Sequence, residues 1–382
     1  MLISNGLGYL FGTGLAAAIF TWLTVFACRR YGLLADREQG VQRMHRHWAP
    51  RMGGVPIFLT VSLALLISVD LPERLTALML VACALPAVLA GLSEDLRENL
   101  GARARLLATF AAAWLAWFLV DAQLRTVDVP GLDWLLANYW LAAILFTAFA
   151  VGGVAHSINI IDGFNGLSSF YSVICFAAIF IVATIVDDPM IQSLSLIFCG
   201  ALLGFLVWNF PFGRVFLGDC GAYFIGFALG EISVLLVARN PEVSPWFCCL
   251  LMAYPIWDTL FSSYRREFKQ RSSWSAADAM HLHHLIYRRL VRPYDMGHAK
   301  QRVILNSLAS TYVWLLGLMC AIPAVMFWDS TPILIAFTLL FIVSYGLLYR
   351  QLVKFRAPRM LLMPMAKRAR SLGLAGRSVA TK

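Results

Sequence analysis

The sequence predicts an all-α, polytopic integral membrane protein of about eleven transmembrane helices, on three observations. Of its 382 residues, 60% are hydrophobic and only 14% charged, against about 45–50% and about 25% in soluble domains. The apolar residues gather in eleven runs, at 5–28, 53–69, 75–92, 105–120, 138–157, 168–186, 192–208, 220–238, 245–264, 303–326 and 332–349, and a bilayer core takes about 20 helical residues. Finally, 28 of the 31 lysines and arginines lie in alternate connections, 29–52, 93–105, 209–219, 265–302 and 350–382. Basic residues mark the cytoplasmic side, so the N-terminus is expected outside and the C-terminus inside. Only Arg74, Arg125 and Arg239 fall outside. The net charge of +10 then reports topology and affinity for anionic headgroups. With no soluble basic domain, nucleic acid is not an expected partner. Residues 1–350 read as one transmembrane unit and 351–382 as a basic cytoplasmic tail.

Taken in order, the first run is a permanent helix, because its first basic residue, Arg29, follows the apolar stretch and does not precede it. Before the second run stand His45 and Pro50-Arg51-Met52-Gly53-Gly54, where the diglycine allows close backbone approach and Arg51 sits at headgroup depth. The third run ends in Gly91-Leu92-Ser93-Glu94-Asp95, followed by Arg97, Arg103 and Arg105. Adjacent carboxylates can hold Mg²⁺ or act as a base, and arginines can grip a phosphate; a solvated helix end would carry the same charges. The outer connection Asp121–Ala137 is long enough for a short strand or surface helix around Thr126–Leu132.

The fifth run leads into Asn159-Ile-Ile-Asp162-Gly163-Phe164-Asn165-Gly166-Leu167. Polar groups at the edge of hydrocarbon are expensive and mark function. Asn159, Asp162 and Asn165, at i, i+3 and i+6, fit one helical face or a glycine-closed loop. Oxygen ligands of this kind suit Mg²⁺, and an asparagine amide suits the edge of a base such as uracil. Helix capping alone would need one such residue, not three.

Phe216-Leu-Gly218-Asp219-Cys-Gly221 opens the eighth run, with Asp219 able to cap the helix or to reach a metal bound to a diphosphate. The ninth ends near Pro255-Ile-Trp-Asp258-Thr259. The large loop after it holds His281-Leu-His283-His284 with Arg288, Arg289 and Arg292. Structural zinc would need a fourth ligand of suitable spacing, which is absent; histidines and arginines can instead donate to a diphosphate. The eight cysteines lie in or beside apolar runs without metal-type spacing and read as small hydrophobes.

Every dense polar cluster thus falls on the expected cytoplasmic side, which points to one composite site at the inner membrane boundary. A transporter would place polar residues near the midplane on broken helices. Only Glu231 and His156 lie that deep.

In this order the motifs resemble the polyprenyl-phosphate N-acetylaminosugar-1-phosphate transferases, from about His45 to His284, with the span count extending the match to nearly the whole chain. The resemblance implies a Mg²⁺-dependent enzyme of the bacterial inner membrane, with Mn²⁺ a possible substitute. It implies transfer of a sugar 1-phosphate, GlcNAc-1-phosphate or a relative, from a UDP-N-acetylamino sugar to undecaprenyl phosphate, releasing UMP. Residue by residue, it implies metal ligation by Asp219 and Asn159, and uracil contact by Asn165. Asp162 matches an active-site acid, and Asp95 is the choice for handling the lipid phosphate, with Glu94 beside it. His281, His283 and His284 match the motif that binds the diphosphate. Arg51, with Arg103 or Arg105, completes the substrate-binding set. Asp258 matches a signature without an assigned role.

Two departures stand out. Glu94-Asp95 replaces a paired aspartate, and the basic residue downstream is shifted by one, so that Arg103 or Arg105 fills its place. The form His-Leu-His-His favours a GlcNAc-type donor over UDP-MurNAc-pentapeptide, with UDP-FucNAc and UDP-QuiNAc as alternatives, and so initiation of a surface polysaccharide such as O-antigen. Membrane lipid and a homodimeric second copy are further expected partners.

Overall fold

The computed structural model describes residues 2–31, 49–68, 71, 73–270, 280–295 and 299–354; His45 and most of the basic tail lie outside them. Fifteen α-helices follow in chain order, with no strand among the described residues: α1 Leu2–Tyr31, α2 Gly54–Ile67, α3 Arg74–Cys83, α4 Leu85–Arg97, α5 Ala102–Leu119, α6 Pro130–Asn138, α7 Trp140–Ile161, α8 Leu167–Ile185, α9 Pro189–Asn209, α10 Gly218–Arg239, α11 Pro245–Leu251, α12 Ala253–Tyr264, α13 Leu282–Ile286, α14 Ala299–Met326 and α15 Thr331–Val353. The chain is a multi-pass membrane protein.

All eleven apolar runs are helical, but not all are full-length spans. Among the described residues, eight helices are long and apolar enough to cross a membrane, namely α1, α5, α7, α8, α9, α10, α14 and α15. The pair α3–α4, bent by 40° at Ala84, makes a ninth if taken as one span. The bend follows from Pro86, which has no N–H for the carbonyl of Ala82; the Ala84 N–H turns back onto Ala82 and Val81 instead. In the same way the run 245–264 breaks at Met252. There Pro255 cannot bond the Leu251 carbonyl, and the buried Tyr171 hydroxyl donates to it at 2.9 Å. The remaining run, α2, has only 14 helical residues. The connection after α5 holds the helix α6, not a strand.

Helix α10 is the mast of the fold: every residue from Gly218 to Val237 is buried. Its neighbours α2 and α4 touch its first turn with no side chain between. A Cβ at Gly91 would lie 2.6 Å from the Cys220 backbone nitrogen, and one at Gly54 would overlap the backbone of Gly221. The segment before α2 pairs with the segment before α10, through Gly53 N–H to the Phe216 carbonyl and Gly54 N–H to the Leu217 carbonyl, both 2.9 Å. Backbone packing thus fixes where α10 begins, and Asp219 stands in that first turn.

Each of the three stray arginines has a partner among the described residues. Arg239 donates to Glu73 at 2.7 and 3.0 Å and to Asp188 at 2.7 Å. Arg74 bonds the Leu65 carbonyl at 2.9 Å, at the C-terminal end of α2, where a cation is favourable. Arg125 lies over the ring of Trp117, 5.5 Å from its centre.

Halfway along α10, Glu231 is fully buried, and neither carboxyl oxygen has a hydrogen-bond partner among the described residues. A buried polar group without a partner is destabilising by about 1–3 kcal/mol on protein scales. Glu231→Met is therefore expected to raise the apparent melting temperature of the detergent-solubilised protein by several degrees, read in a thermal-shift scan; a fall would mean that Glu231 has a stabilising partner.

Candidate active site

One cavity of about 1060 Å³ gathers the polar clusters. Its walls at one end include Arg51, Arg105, Asn159, Asp162, Asp219, His281 and His284, drawn from five separated stretches of sequence. From there it continues between α5, α7, α10 and α11–α12 past Phe110, Val154, Val234 and Trp246, and reaches Val127 and Leu132 of the opposite connection. The site is therefore amphiphilic: charged at one end and apolar along nearly the length of α10.

Asp219 is its electrostatic centre. Its Oδ1 accepts hydrogen bonds from Asn159 Nδ2 at 3.1 Å and Arg51 Nη2 at 3.4 Å, and its Oδ2 is paired with Arg105. The carboxylate is held in place by the start of α10. Gly218 has φ +75°, and a Cβ there would meet the Arg51 carbonyl and the Asp95 carboxylate, both at 2.6 Å, so this turn requires glycine.

Asp95 faces the backbone. Its two oxygens accept the N–H groups of Asp219 and Cys220, each at 2.9 Å, which satisfies orphan donors of the α10 N-terminus with a negative charge. Arg51 Nε lies 3.9 Å away. Glu94 Oε2 accepts the Leu100 N–H at 2.7 Å, and its Oε1 lies 3.6 Å from Arg105. Of the two candidate arginines, Arg105 reaches Asp219, whereas Arg103 is exposed.

Helix α7 ends at Ile161, so the i, i+3, i+6 spacing does not continue round one face. Asp162 sits on the cavity wall, bonded by the Ser168 hydroxyl. Enclosure pushes its carboxyl up to about 6, against the opposing effects of that hydrogen bond and of Arg51. Asn165 is 1% exposed and does not line the cavity. Its Nδ2 donates to the Pro211 carbonyl and lies 3.2 Å from Ser307 Oγ, and its backbone N–H donates to Asn306. These bonds tie the loop to α14.

His281 and His284 reach the cavity, while His283 lies behind them. Burial, then neighbouring His284, lowers the His283 pKa well below its ordinary value, against the opposing effect of Asp258. Phe164 packs against the rings of His283, His284 and Tyr287 at 5.4–5.7 Å, which couples the histidine segment to the Asn159–Leu167 loop. Sequence reasoning missed the wall residue Arg266 and named His156, whose Nδ1 lies 2.9 Å from the Tyr223 hydroxyl, only for its depth. It also left Asp258 without a role, although this buried carboxylate bonds His281, Leu282 and Tyr345.

The described residues hold no group of three or more His, Cys, Asp and Glu side chains placed around one ion. Asp219 with the adjacent Asn159 amide does offer one carboxylate and one neutral oxygen donor. That pair fits the usual mode of Mg²⁺, which takes one or two protein oxygens and completes its shell with phosphates and water.

Comparison with known proteins gives a consistent result. The sequence profile described as Glycosyl transferase family 4 matches residues 77–237. A decaprenyl-phosphate N-acetylglucosaminephosphotransferase of Mycolicibacterium smegmatis is 30% identical over 340 residues, covering 79% of this chain and 78% of its own. A probable undecaprenyl-phosphate N-acetylglucosaminyl 1-phosphate transferase of Bacillus subtilis is 28% identical over 308 residues, 80% of each chain. A phospho-N-acetylmuramoyl-pentapeptide-transferase of Bacillus cytotoxicus is 27% identical over 251 residues, 62% of this chain and 75% of its own.

Proposed function

We propose a reaction for this chain, which belongs to glycosyl transferase family 4, the polyprenyl-phosphate N-acetylaminosugar-1-phosphate transferases: transfer of GlcNAc-1-phosphate from UDP-GlcNAc to undecaprenyl phosphate, releasing UMP. The observation that carries it is the cavity, charged at one end, where Arg51 and Arg105 stand, and apolar along the rest. An anionic headgroup on a long hydrocarbon chain is the ligand that such a cavity complements.

In this reading an oxygen of the acceptor phosphate attacks the β-phosphorus of the UDP-sugar. A new P–O bond forms, the bridging bond to the α-phosphate breaks, and UMP leaves. The protein's part is positioning and charge compensation. Arg51 and Arg105 lie beside Asp219 and can turn their donors to phosphate oxygens, with Arg266 a further cation on the wall. Asp162 is the carboxylate suited to take a proton from the acceptor phosphate. His281 and His284 serve the donor's diphosphate. Asp219 and Asn159 would hold Mg²⁺, or Mn²⁺ in its place, which when bound offsets the charge of the diphosphate. Asp95 and Glu94 act from behind, Asp95 by fixing the first turn of α10 and Glu94 by steadying Arg105. The charged face is the cytoplasmic one in this reading, the membrane is the bacterial inner membrane, and the product starts a surface polysaccharide such as O-antigen.

The test is a donor screen with the purified protein and undecaprenyl phosphate, scoring UMP. UDP-GlcNAc is expected to be the best of UDP-GlcNAc, UDP-FucNAc, UDP-QuiNAc and UDP-MurNAc-pentapeptide, and EDTA is expected to stop release until Mg²⁺ is restored. No UMP from any donor, with transbilayer movement of a lipid-linked sugar in vesicles, would establish a flippase instead.

A further inference from the structure

Asp258 does not line the cavity, yet three partners hold its carboxylate close behind the wall. It lies on α12 with no exposed surface. Its Oδ1 accepts the Leu282 N–H at 3.0 Å and the Tyr345 O–H, from α15, at 2.6 Å. Its Oδ2 lies 2.8 Å from His281 Nδ1. Ser262, one helical turn further along α12, brings its Oγ to 3.0 Å from the same nitrogen. His283 Nδ1 is 4.0 Å from Asp258 Oδ2 and 3.2 Å from the Tyr254 hydroxyl. The histidine segment is therefore clamped by its backbone and by one ring nitrogen.

That arrangement has a chemical consequence. A carboxylate at Nδ1 fixes the tautomer and the orientation of an imidazole. His281 lines the cavity, and with Nδ1 turned to Asp258 the ring nitrogen that a ligand there would use is Nε2. When both nitrogens carry protons, the buried carboxylate balances the ring's charge while Nε2–H points towards the ligand. An asparagine at 258 could keep the bonds from Leu282 and Tyr345 through its oxygen. Its amide nitrogen, however, would face Nδ1 as a donor, which a ring protonated at both nitrogens has no lone pair to accept, so the ring turns or gives up its charge and donates more weakly to the phosphate.

We infer that Asp258 is a positioning residue for the donor's diphosphate, acting through His281: it holds the ring so that Nε2–H meets the phosphate that UDP has and UMP lacks. The inference rests on the transferase reading above.

A double-mutant cycle tests it. Asp258→Asn, His281→Gln and the double variant are compared with wild type for kcat and KM with the UDP-sugar, for UDP and UMP affinity by calorimetry, and for melting temperature. Asp258→Asn should raise KM and weaken UDP by about tenfold, the usual scale for a hydrogen bond to a charged group, while UMP changes less than about threefold on the same scale. The double variant should be no worse than His281→Gln alone. Tyr345→Phe, which keeps the carboxylate, should shift the UDP-to-UMP preference in the same direction by a smaller factor, and it decides the matter if Asp258→Asn does not fold. Additive losses, equal weakening of UDP and UMP, or an unchanged preference in Tyr345→Phe would overturn the role. Absence of UMP release by the wild type would instead sink the reaction itself, so the two failures are distinguishable.

Discussion

Asp219→Ala is expected to lower UMP release by at least about 100-fold, the scale of losing a principal electrostatic group of an active site, while the solubilised protein keeps its melting temperature within a few degrees. Both halves follow from the geometry. The carboxylate's partners are Arg51, Arg105 and Asn159, all site groups, so truncation leaves two arginines uncompensated next to the phosphates. The cap of α10 is untouched, because Asp95 supplies it. Substantial activity in this variant would remove Asp219 from the chemistry; loss of folded protein would make it a structural residue.

Asp95→Asn is expected to cost far more than Glu94→Gln. An asparagine at 95 replaces one of two acceptor oxygens with a donor that faces a buried N–H, either of Asp219 or of Cys220. The penalty for a buried donor left unpaired is about 1–3 kcal/mol, and the lost charge at a helix N-terminus adds to it. The expected result is a lower melting temperature together with a loss of about 100-fold in UMP release, as Asp219 shifts. Glu94→Gln keeps an oxygen for the Leu100 N–H and loses only a partly exposed pairing with Arg105 at 3.6 Å. Such pairs contribute about 0–1 kcal/mol, so a loss under about tenfold is expected. Equal losses would mean that the two carboxylates work as one unit.

The sequence carried the gathering of the site because charge asymmetry and motif order are both written linearly. Arg51, Arg105, Asn159, Asp162, Asp219, His281 and His284 were each legible in this way, and one cavity joins them. For Asn159, Asp162 and Asn165 the spacing left a helical face and a glycine-closed loop open, and the loop, which carries Asn165, is the one formed. The chain turns at Gly166, φ +72°, and sends that side chain towards Pro211 and Ser307. The breaks at Ala84 and Met252 had a signal in Pro86 and Pro255, which hydropathy averaging hides. Asp258 was not legible because its partners are 23, 24 and 87 residues away. No local pattern reports a bond of that kind.

The complete burial of α10 has a consequence for the lipid around the protein. Only 17% of the apolar window of α15 is buried, and 22% of that of α1, whereas that of α10 is buried throughout. A thinner or thicker bilayer meets α1 and α15, which can tilt, and not the helix whose first turn carries Asp219. The rim absorbs hydrophobic mismatch, and the depth of the reacting groups stays set by glycine contacts inside the protein. Turnover should therefore depend little on acyl-chain length in reconstituted membranes.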